Sequence, residues 1–526
     1  MTESQPHPPR GAVFALIALA ALLPYANALW CDFAVDDFGQ IVNNPDVHTL
    51  SPPWRLFAVD MWSGQGEHWQ MPRDVRTGAY RPVYLLTCAV QWAIHGEWAM
   101  PFHLVNLLLH LAICLLLWRL AVRLGASERT ALIAALLFAV LPIHTEAVTG
   151  IVGRSELMGA LGTMAAVFVW IGPDPRRGPP PWRRVVGASL WIAMAIFSKE
   201  SAVAAPLLVI LADVHRGQWH ARGRWQRWLA LFAPLAIYFA ARWGIYGSPL
   251  YREPPALLDN PLILATFWER ALAAPVLLFH GVRLMIYPIV LSSDHSLAAL
   301  EMNPPPTGEL IAAFASLAAL LALIALARPW RRDLICGVVG LGLTTALFLN
   351  WPLLSLTIFA ERLFYTPSVF VCLLLAASIA ALWRHERSAG LGLTVALVLL
   401  WGARTAIRNL DWRSNFHMAE ATVAAVPDSA RAQAFFAAQM LGTAAGADER
   451  GLSDEAAEAR RLAERALNRA LEIWPEHWGC VLMQARLAVA RGEWDEAERL
   501  LAICRPHVAQ VHVADVEARI RAGRGE

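Results

Sequence analysis

The stretch Cys31-Asp-Phe-Ala-Val-Asp36-Asp37-Phe-Gly-Gln-Ile-Val-Asn-Asn-Pro-Asp46 follows directly on an apolar run, residues 11–30. A run of that length suits a membrane-spanning helix. Two adjacent carboxylates then stand where the helix ends, at a membrane interface. The rest of the chain, 57% hydrophobic and 16% charged, is too apolar for an average soluble domain. It reads as an all-α polytopic membrane bundle followed by a smaller helical domain. The net charge of +2 gives no footing for nucleic acid, because the arginines lie between apolar segments. Run 11–30 has no small-x-small cleavage site before Cys31, and many apolar segments follow. It reads as an uncleaved first span rather than a signal peptide.

Further apolar segments lie at 101–120, 130–148, 154–172, 185–198, 201–214, 229–246, 307–327, 334–350, 363–383 and 389–407. Two others, 82–95 and 266–291, carry Gln91, His95, Arg270, His280 and Arg283, and read as segments that do not cross fully. Loops 119–129, 173–184, 215–228, 328–333 and 384–388 are rich in arginine, Arg176, Arg177, Arg222 and Arg328 among them. They share the cytoplasmic side only if those two segments do not cross, which gives about eleven spans and a cytoplasmic N-terminus. Residues 1–407 then form the membrane domain, with 31–80 as its first extracytoplasmic loop. The expected setting is the inner membrane of a bacterium.

This topology gathers Asp36-Asp37, Tyr80-Arg81, His144-Thr-Glu146, Arg154-Ser-Glu156, Lys199-Glu200, Asp294-His295-Ser296 and Glu361-Arg362 on the extracytoplasmic face. Ionisable groups near membrane depth are costly and mark a functional cavity. Of 44 basic residues, Lys199 is the single lysine. Asp36 or Asp37 can serve as general base on an acceptor hydroxyl. Adjacent residues of an extended chain point apart, so the two do different jobs. Arg81, Arg154, Lys199 and Arg362 are candidates for a phosphate, where leaving-group charge must be offset. Ion pairing within Arg154–Glu156, Lys199–Glu200 and Glu361–Arg362 is the plain structural alternative. Tyr80, His144, Glu146, Glu156, Glu200, Asp294 and Glu361 are supporting residues. His103 and His110 read as packing or interhelical hydrogen bonds. No metal-ligand spacing occurs among the seven cysteines, no cofactor is required, and the acidic pair is also compatible with a divalent cation. A polyprenyl-phosphate sugar suits this site, with its tail in the bilayer and its phosphate at the interface.

Beyond the polar junction Arg408-Asn-Leu-Asp-Trp-Arg413 the chain turns alanine- and glutamate-rich. Residues 408–526 show helical periodicity without spanning length. The Gly492-Glu-Trp494 turn, and prolines at Pro475 and Pro506, resemble the tetratricopeptide repeat of nominally 34 residues. Such repeats offer a groove for a polypeptide. Cys480 and Cys504, at neighbouring ends of an antiparallel pair, are candidates for a disulfide.

The ordered series Asp36-Asp37, Asn44-Pro45-Asp46, Tyr80-Arg81-Pro82, His103-Leu-Val-Asn106, Pro142-Ile-His144-Thr-Glu146-Ala-Val, Gly153-Arg154-Ser-Glu156, Lys199-Glu200, Asp294-His-Ser296, Ala360-Glu361-Arg362 and Pro427-Asp-Ser429-Ala-Arg431 resembles the transmembrane and tetratricopeptide-repeat O-mannosyltransferases. The resemblance covers nearly the whole chain. It implies a GT-C glycosyltransferase fold, a polyprenyl-phosphate mannose-type donor, a protein Ser/Thr acceptor, and a repeat domain on the active-site side. The family's acidic motif usually begins with histidine; Val35 takes that place here. The repeat region is short for the family.

Other functions predict other features. A flippase would show inverted repeats and charges at mid-bilayer depth, and neither is seen. A non-catalytic repeat scaffold would show a degenerate acidic motif. A transferase of the same class acting on a lipid or glycan acceptor shares all of the features above.

Overall fold

The structure, a computed structural model, describes residues 9–63, 77–172, 178–220, 223–302, 304–326 and 330–525. Arg176, Arg177, Arg222 and Arg328 lie outside them. The described residues are helical, with no strand among them.

Six helices are long and apolar enough to cross a membrane: Ala99–Leu124, Ile151–Ile171, Arg224–Tyr246, Thr307–Leu326, Ser368–His385 and Arg387–Arg413. Thr307–Leu326 buries only Ala313 against protein, so its apolar surface faces outward, as a lipid-facing helix must. A seventh span is formed if Glu128–Ala139 and Pro142–Val148, bent by 52°, are taken together. The bend has a cause. Pro142 cannot donate into the ladder. The Phe138 carbonyl it would have met accepts the Leu141 N–H instead, and a short turn restarts the helix with His144 N–H on the Leu141 carbonyl and the Thr145 hydroxyl on the Pro142 carbonyl.

Hydropathy and loop charge together gave about eleven spans, and the difference lies in the short segments. Run 11–30 is a 13-residue helix, Arg10–Leu22, followed by a 3-10 turn. Residues 185–198 and 201–214 give Trp182–Ile196 and Ala205–His215, of 15 and 11 residues, broken at an extended Lys199. At about 1.5 Å per residue, such helices fall short of a 30 Å core. Residues 82–95 form the short helix Pro82–His95. Residues 266–291 form Phe267–Ile286, started by a Thr266/Glu269 capping box.

The bundle has two distinct ends. Helix Ala99–Leu124 carries His103 and Asn106 at one end. At the other, Leu117 and Leu124 line an apolar cavity of about 850 Å³ together with Arg129, His215, Asp333 and Arg384. Described residues of four loops read as basic, 119–129, 215–228, 328–333 and 384–388, therefore meet around this cavity, which none of the residues around Asp36 lines.

C-terminal to Arg413, helices Ala430–Glu449 and Ser453–Ile473 pack as one antiparallel pair, and Trp478–Arg491 and Trp494–Cys504 as another. Gly492, at φ +76°, makes the turn of the second pair. Cys480 and Cys504 are both free thiols, so the expected disulfide is not formed. Helix phase explains this. Cys480 faces back onto Ala463, Leu467 and Ala470 of the preceding pair, whereas Cys504 packs with Val481, Leu501 and Val513.

Candidate active site

The acidic turn is held from three sides. Val35 adopts φ +52°, a costly conformation for a β-branched residue. Its N–H donates to Asn415 Oδ1 at 2.6 Å, and the N–H of Asp32 donates to the Arg413 carbonyl at 3.0 Å. The third restraint is Asp37 itself. Its oxygens accept the N–H groups of Ala34 at 3.1 Å, Val152 at 2.9 Å and Ile151 at 3.4 Å. Asp37 thus clamps the turn Ile151–Gly153 at the start of helix Arg154–Ile171.

The two aspartates part company here. Asp37 is 2% exposed, while the Asp36 side chain is 33% exposed and lies 3.8 Å from Arg362 Nη2. Burial pushes the Asp37 carboxyl up to about 7, with Asp36 adding to the rise and the backbone hydrogen bonds opposing it. A carboxylate near neutrality suits a general base. Both Asp37 oxygens, however, are committed to backbone N–H groups, so geometry favours Asp36 for contact with a substrate. The raised value also makes a prediction. Folded Asp37 keeps a proton that the unfolded chain has released, so its contribution is full below the unfolded value and is lost as pH rises through about 7. The melting-temperature advantage of wild type over Asp37→Asn is expected to shrink between about pH 5 and about pH 8. A constant difference across that range would contradict the assignment.

Asp36, Asp37, Glu146, Arg362, Asp294, His295, Asp259, Trp412 and Arg431 line one cleft of about 60 Å³. That is room for about four water-sized groups. The far larger apolar cavity at the basic end brings none of these residues together, so the chemistry is assigned to the small cleft. Arg362 is gripped by Glu146: its N–H donates to Oε2 at 2.8 Å, and its guanidinium pairs with Oε1. Beyond it, Arg81 Nε sits 3.0 Å from both Glu200 oxygens, and Lys199 pairs with Glu156. Arg362 and Glu156 both act electrostatically on Arg81, so these pairs form one continuous charged array. Burial disfavours the Glu200 anion, yet Arg81 and Lys199 bring its carboxyl down to about 2.

The cations thus find their carboxylates across the fold. The pairings between sequence neighbours, Arg154–Glu156, Lys199–Glu200 and Glu361–Arg362, are not the ones formed. Arg154 stands apart from the cleft. It is fully buried, with Nε on Asn106 Oδ1 at 3.0 Å and Nη2 on the Phe102 carbonyl at 3.1 Å. Asn106 in turn donates to the carbonyls of Val148, Gly150 and Ile151. Arg154 therefore braces the turn that Asp37 grips.

His144 also lies behind the site, 2.7 Å from the Ser368 hydroxyl. His110 contacts the Tyr365 hydroxyl and the Ala139 carbonyl, the interhelical role read from its spacing. Tyr80 donates to the Phe57 carbonyl and packs with Phe197 and Tyr238. Glu361 is fully buried and accepts the Ser292 N–H at 2.7 Å. Asp294 reaches the cleft. Among the described residues no three His, Cys, Asp or Glu side chains converge as a metal site. The acids of the cleft face Arg362 and Arg431 instead.

Sequence reasoning missed three residues at the cleft and its turn. Asp259 pairs with Arg431 at 2.8 Å, Trp412 lines the cleft, and Asn415 holds the Val35 turn. The polar junction around Trp412 was the available signal. Asp60 was missed as well. It joins the middle of the first loop to its end and to a helix by accepting from Trp62 N–H, Gly78 N–H and the Tyr246 hydroxyl.

Comparison with known proteins adds a second line. The chain is 26% identical over 484 residues to "Protein O-mannosyl-transferase Tmtc3" of Drosophila melanogaster, covering 77% of this chain and 50% of that protein. It is 28% identical over 477 residues to "Protein O-mannosyl-transferase TMTC1" of Homo sapiens, covering 80% and 52%. A shorter match, 34% over 191 residues, links it to "Protein O-mannosyl-transferase TMTC3" of Mus musculus, covering 36% and 20%. In the longer matches the chain spans about half the length of these relatives. All three are animal proteins and lend nothing to the bacterial setting expected from the sequence. No family model and no solved structure matches the chain.

Proposed function

Taking similarity to the O-mannosyl-transferases as the premise, we propose that this chain is a membrane glycosyltransferase. It moves a hexose, mannose by similarity, from a polyprenyl-phosphate donor to a Ser or Thr hydroxyl of a polypeptide. The reaction takes place at the extracytoplasmic face. The observation that carries the reading is Asp36, exposed in a cleft beside Arg362, with the Arg81–Glu200 and Lys199–Glu156 pairs extending from it. The sidedness is supported by the basic loops at the opposite end of the bundle.

In this reading Asp36 takes the proton of the acceptor hydroxyl as its oxygen attacks the anomeric carbon. The bond from that carbon to the phosphate oxygen breaks, and polyprenyl phosphate leaves with the electron pair. Arg362 offsets the charge that develops on the phosphate. Lys199 and Arg81 lie further along the charged array, toward the leaving phosphate. The membrane domain, 1–407, carries this chemistry. The helical domain, 408–526, presents the polypeptide, and its paired hairpins support the repeat reading.

The test is transfer by the purified full chain in lipid vesicles, from polyprenyl-phosphate mannose to Ser/Thr peptides. A peptide gaining one hexose is expected. Failure with every polyprenyl-phosphate hexose, for protein that melts cooperatively, would refute the reading.

A further inference from the structure

The cleft has two polar ends, and Arg362 accounts for only one. At the other lie Asp294, His295, Asp259 and Arg431. Asp294 is 5% exposed. Its Oδ2 accepts the hydroxyls of Ser296 at 2.9 Å and Ser429 at 2.5 Å. Its Oδ1 is buried without a hydrogen-bond partner, and Arg431 Nε stands off at 3.8 Å. A buried carboxylate oxygen left unpaired is costly, and this one lies in a residue that lines the cleft. Arg431 is half-exposed. Its Nη1 is bonded to Asp259 Oδ1 at 2.8 Å. Both Ser429 and Arg431 belong to the start of helix Ala430–Glu449, where Ser429 is the N-cap. The helical domain therefore builds this end of the cleft, with the membrane domain supplying Asp294.

We infer that Asp294 and Arg431 form the acceptor subsite and bind the peptide backbone beside the hydroxyl residue to be glycosylated. Asp294 Oδ1 takes a backbone N–H, and the Arg431 guanidinium takes a backbone carbonyl. Every peptide unit carries that donor and acceptor whatever its side chain, and both bonds are charge-assisted. A neutral polypeptide fits this end better than the donor phosphate does. A phosphate would meet Asp294 and Asp259, whereas at the Arg362 end it meets the cation array. The inference rests on the function proposed above and names how its acceptor is held.

The experiment uses the full chain in vesicles with polyprenyl-phosphate mannose, wild type beside Arg431→Ala, Arg431→Lys and Asp294→Asn. Acceptors are a Ser/Thr peptide and a small alcohol without peptide groups. For Arg431→Ala and Asp294→Asn, KM for the peptide is expected to rise about tenfold, the loss of one charged hydrogen bond. KM for the donor should change far less, and the small alcohol should be less affected than the peptide. Arg431→Lys should recover part of the loss. Arg431 is half-exposed, so its variants should keep the wild-type melting temperature. Unchanged peptide KM, equal losses for peptide and alcohol, or a rise confined to donor KM would overturn the inference while the transferase reading stands. Absence of wild-type transfer from every donor would overturn both.

Discussion

Arg362→Ala is expected to lower transfer by about 10²–10³, the usual cost of removing one preorganised group from developing transition-state charge. It should also destabilise the fold, because the Glu146 side chain is only 4% exposed and Arg362 is its ion-pair partner. Stripping the partner from a buried carboxylate costs about 3–5 kcal/mol. The two losses can be separated. Adding Glu146→Gln removes the orphaned charge and should restore most of the melting temperature, while transfer stays low. Arg362→Lys keeps the charge but cannot span Glu146 and Asp36 with one planar fork. It should fall between wild type and Arg362→Ala. Full recovery of transfer in the double variant would reduce Arg362 to a strut.

The second large effect is mechanical. A Cβ added at Gly153 would lie 2.2 Å from the Ala147 carbonyl oxygen and 2.6 Å from the Ala147 Cα, both backbone atoms. Backbone cannot swing aside as a side-chain tip can. Gly153→Ala must therefore push apart the turn Ile151–Gly153 and the helix Thr145–Val148. That turn supplies the Val152 and Ile151 N–H groups to Asp37, and that helix carries Glu146. The strain alone is worth about 1–3 kcal/mol, and the displaced hydrogen bonds add to it. Reduced yield, a lower melting temperature and loss of transfer are expected together. Gly342→Ala is the control, since its Cβ would meet nothing within 4 Å. Equal behaviour of the two variants would contradict the packing argument.

How far the sequence could be read depended on distance along the chain. The span break at Ser198-Lys199-Glu200 was legible, because charge acts locally. So were the helical hairpin at Gly492 and the short helix Pro82–His95. The bend at Pro142 was not, since 130–148 reads as one uninterrupted apolar segment. The clustering of Asp36, Glu146, Asp294 and Arg362 followed from one topological argument about loop charge. The ion-pair partners were not legible. Arg81 reaches 119 residues to Glu200, and Arg362 reaches 216 residues to Glu146. Nothing local told Arg362 to pass over its neighbour Glu361, or Lys199 to pass over Glu200 for Glu156. The disulfide failed for a similar reason: helix ends can be adjacent while helix phase turns the side chains apart. Eleven apolar segments gave six helices of spanning length, or seven with the bent pair, because hydropathy measures apolarity, and helix length is set by where caps and breaks fall. Alternation along an extended chain predicted that Asp36 and Asp37 do different jobs. The two residues are helical instead, and they differ because Asp37 is buried on the Ile151 and Val152 N–H groups while Asp36 stays partly exposed.

That division of labour is the centre of the account, and single-turnover transfer by wild type, Asp36→Asn and Asp37→Asn tests it most directly. With donor-saturated protein in vesicles and melting followed in parallel, Asp36→Asn should lose about 10²–10⁴ in rate, the span of a general base. Its melting temperature should hold. Asp37→Asn should melt lower and retain more rate than Asp36→Asn wherever it is folded. A folded Asp37→Asn protein without transfer, beside an Asp36→Asn protein that turns over at the wild-type rate, would contradict it.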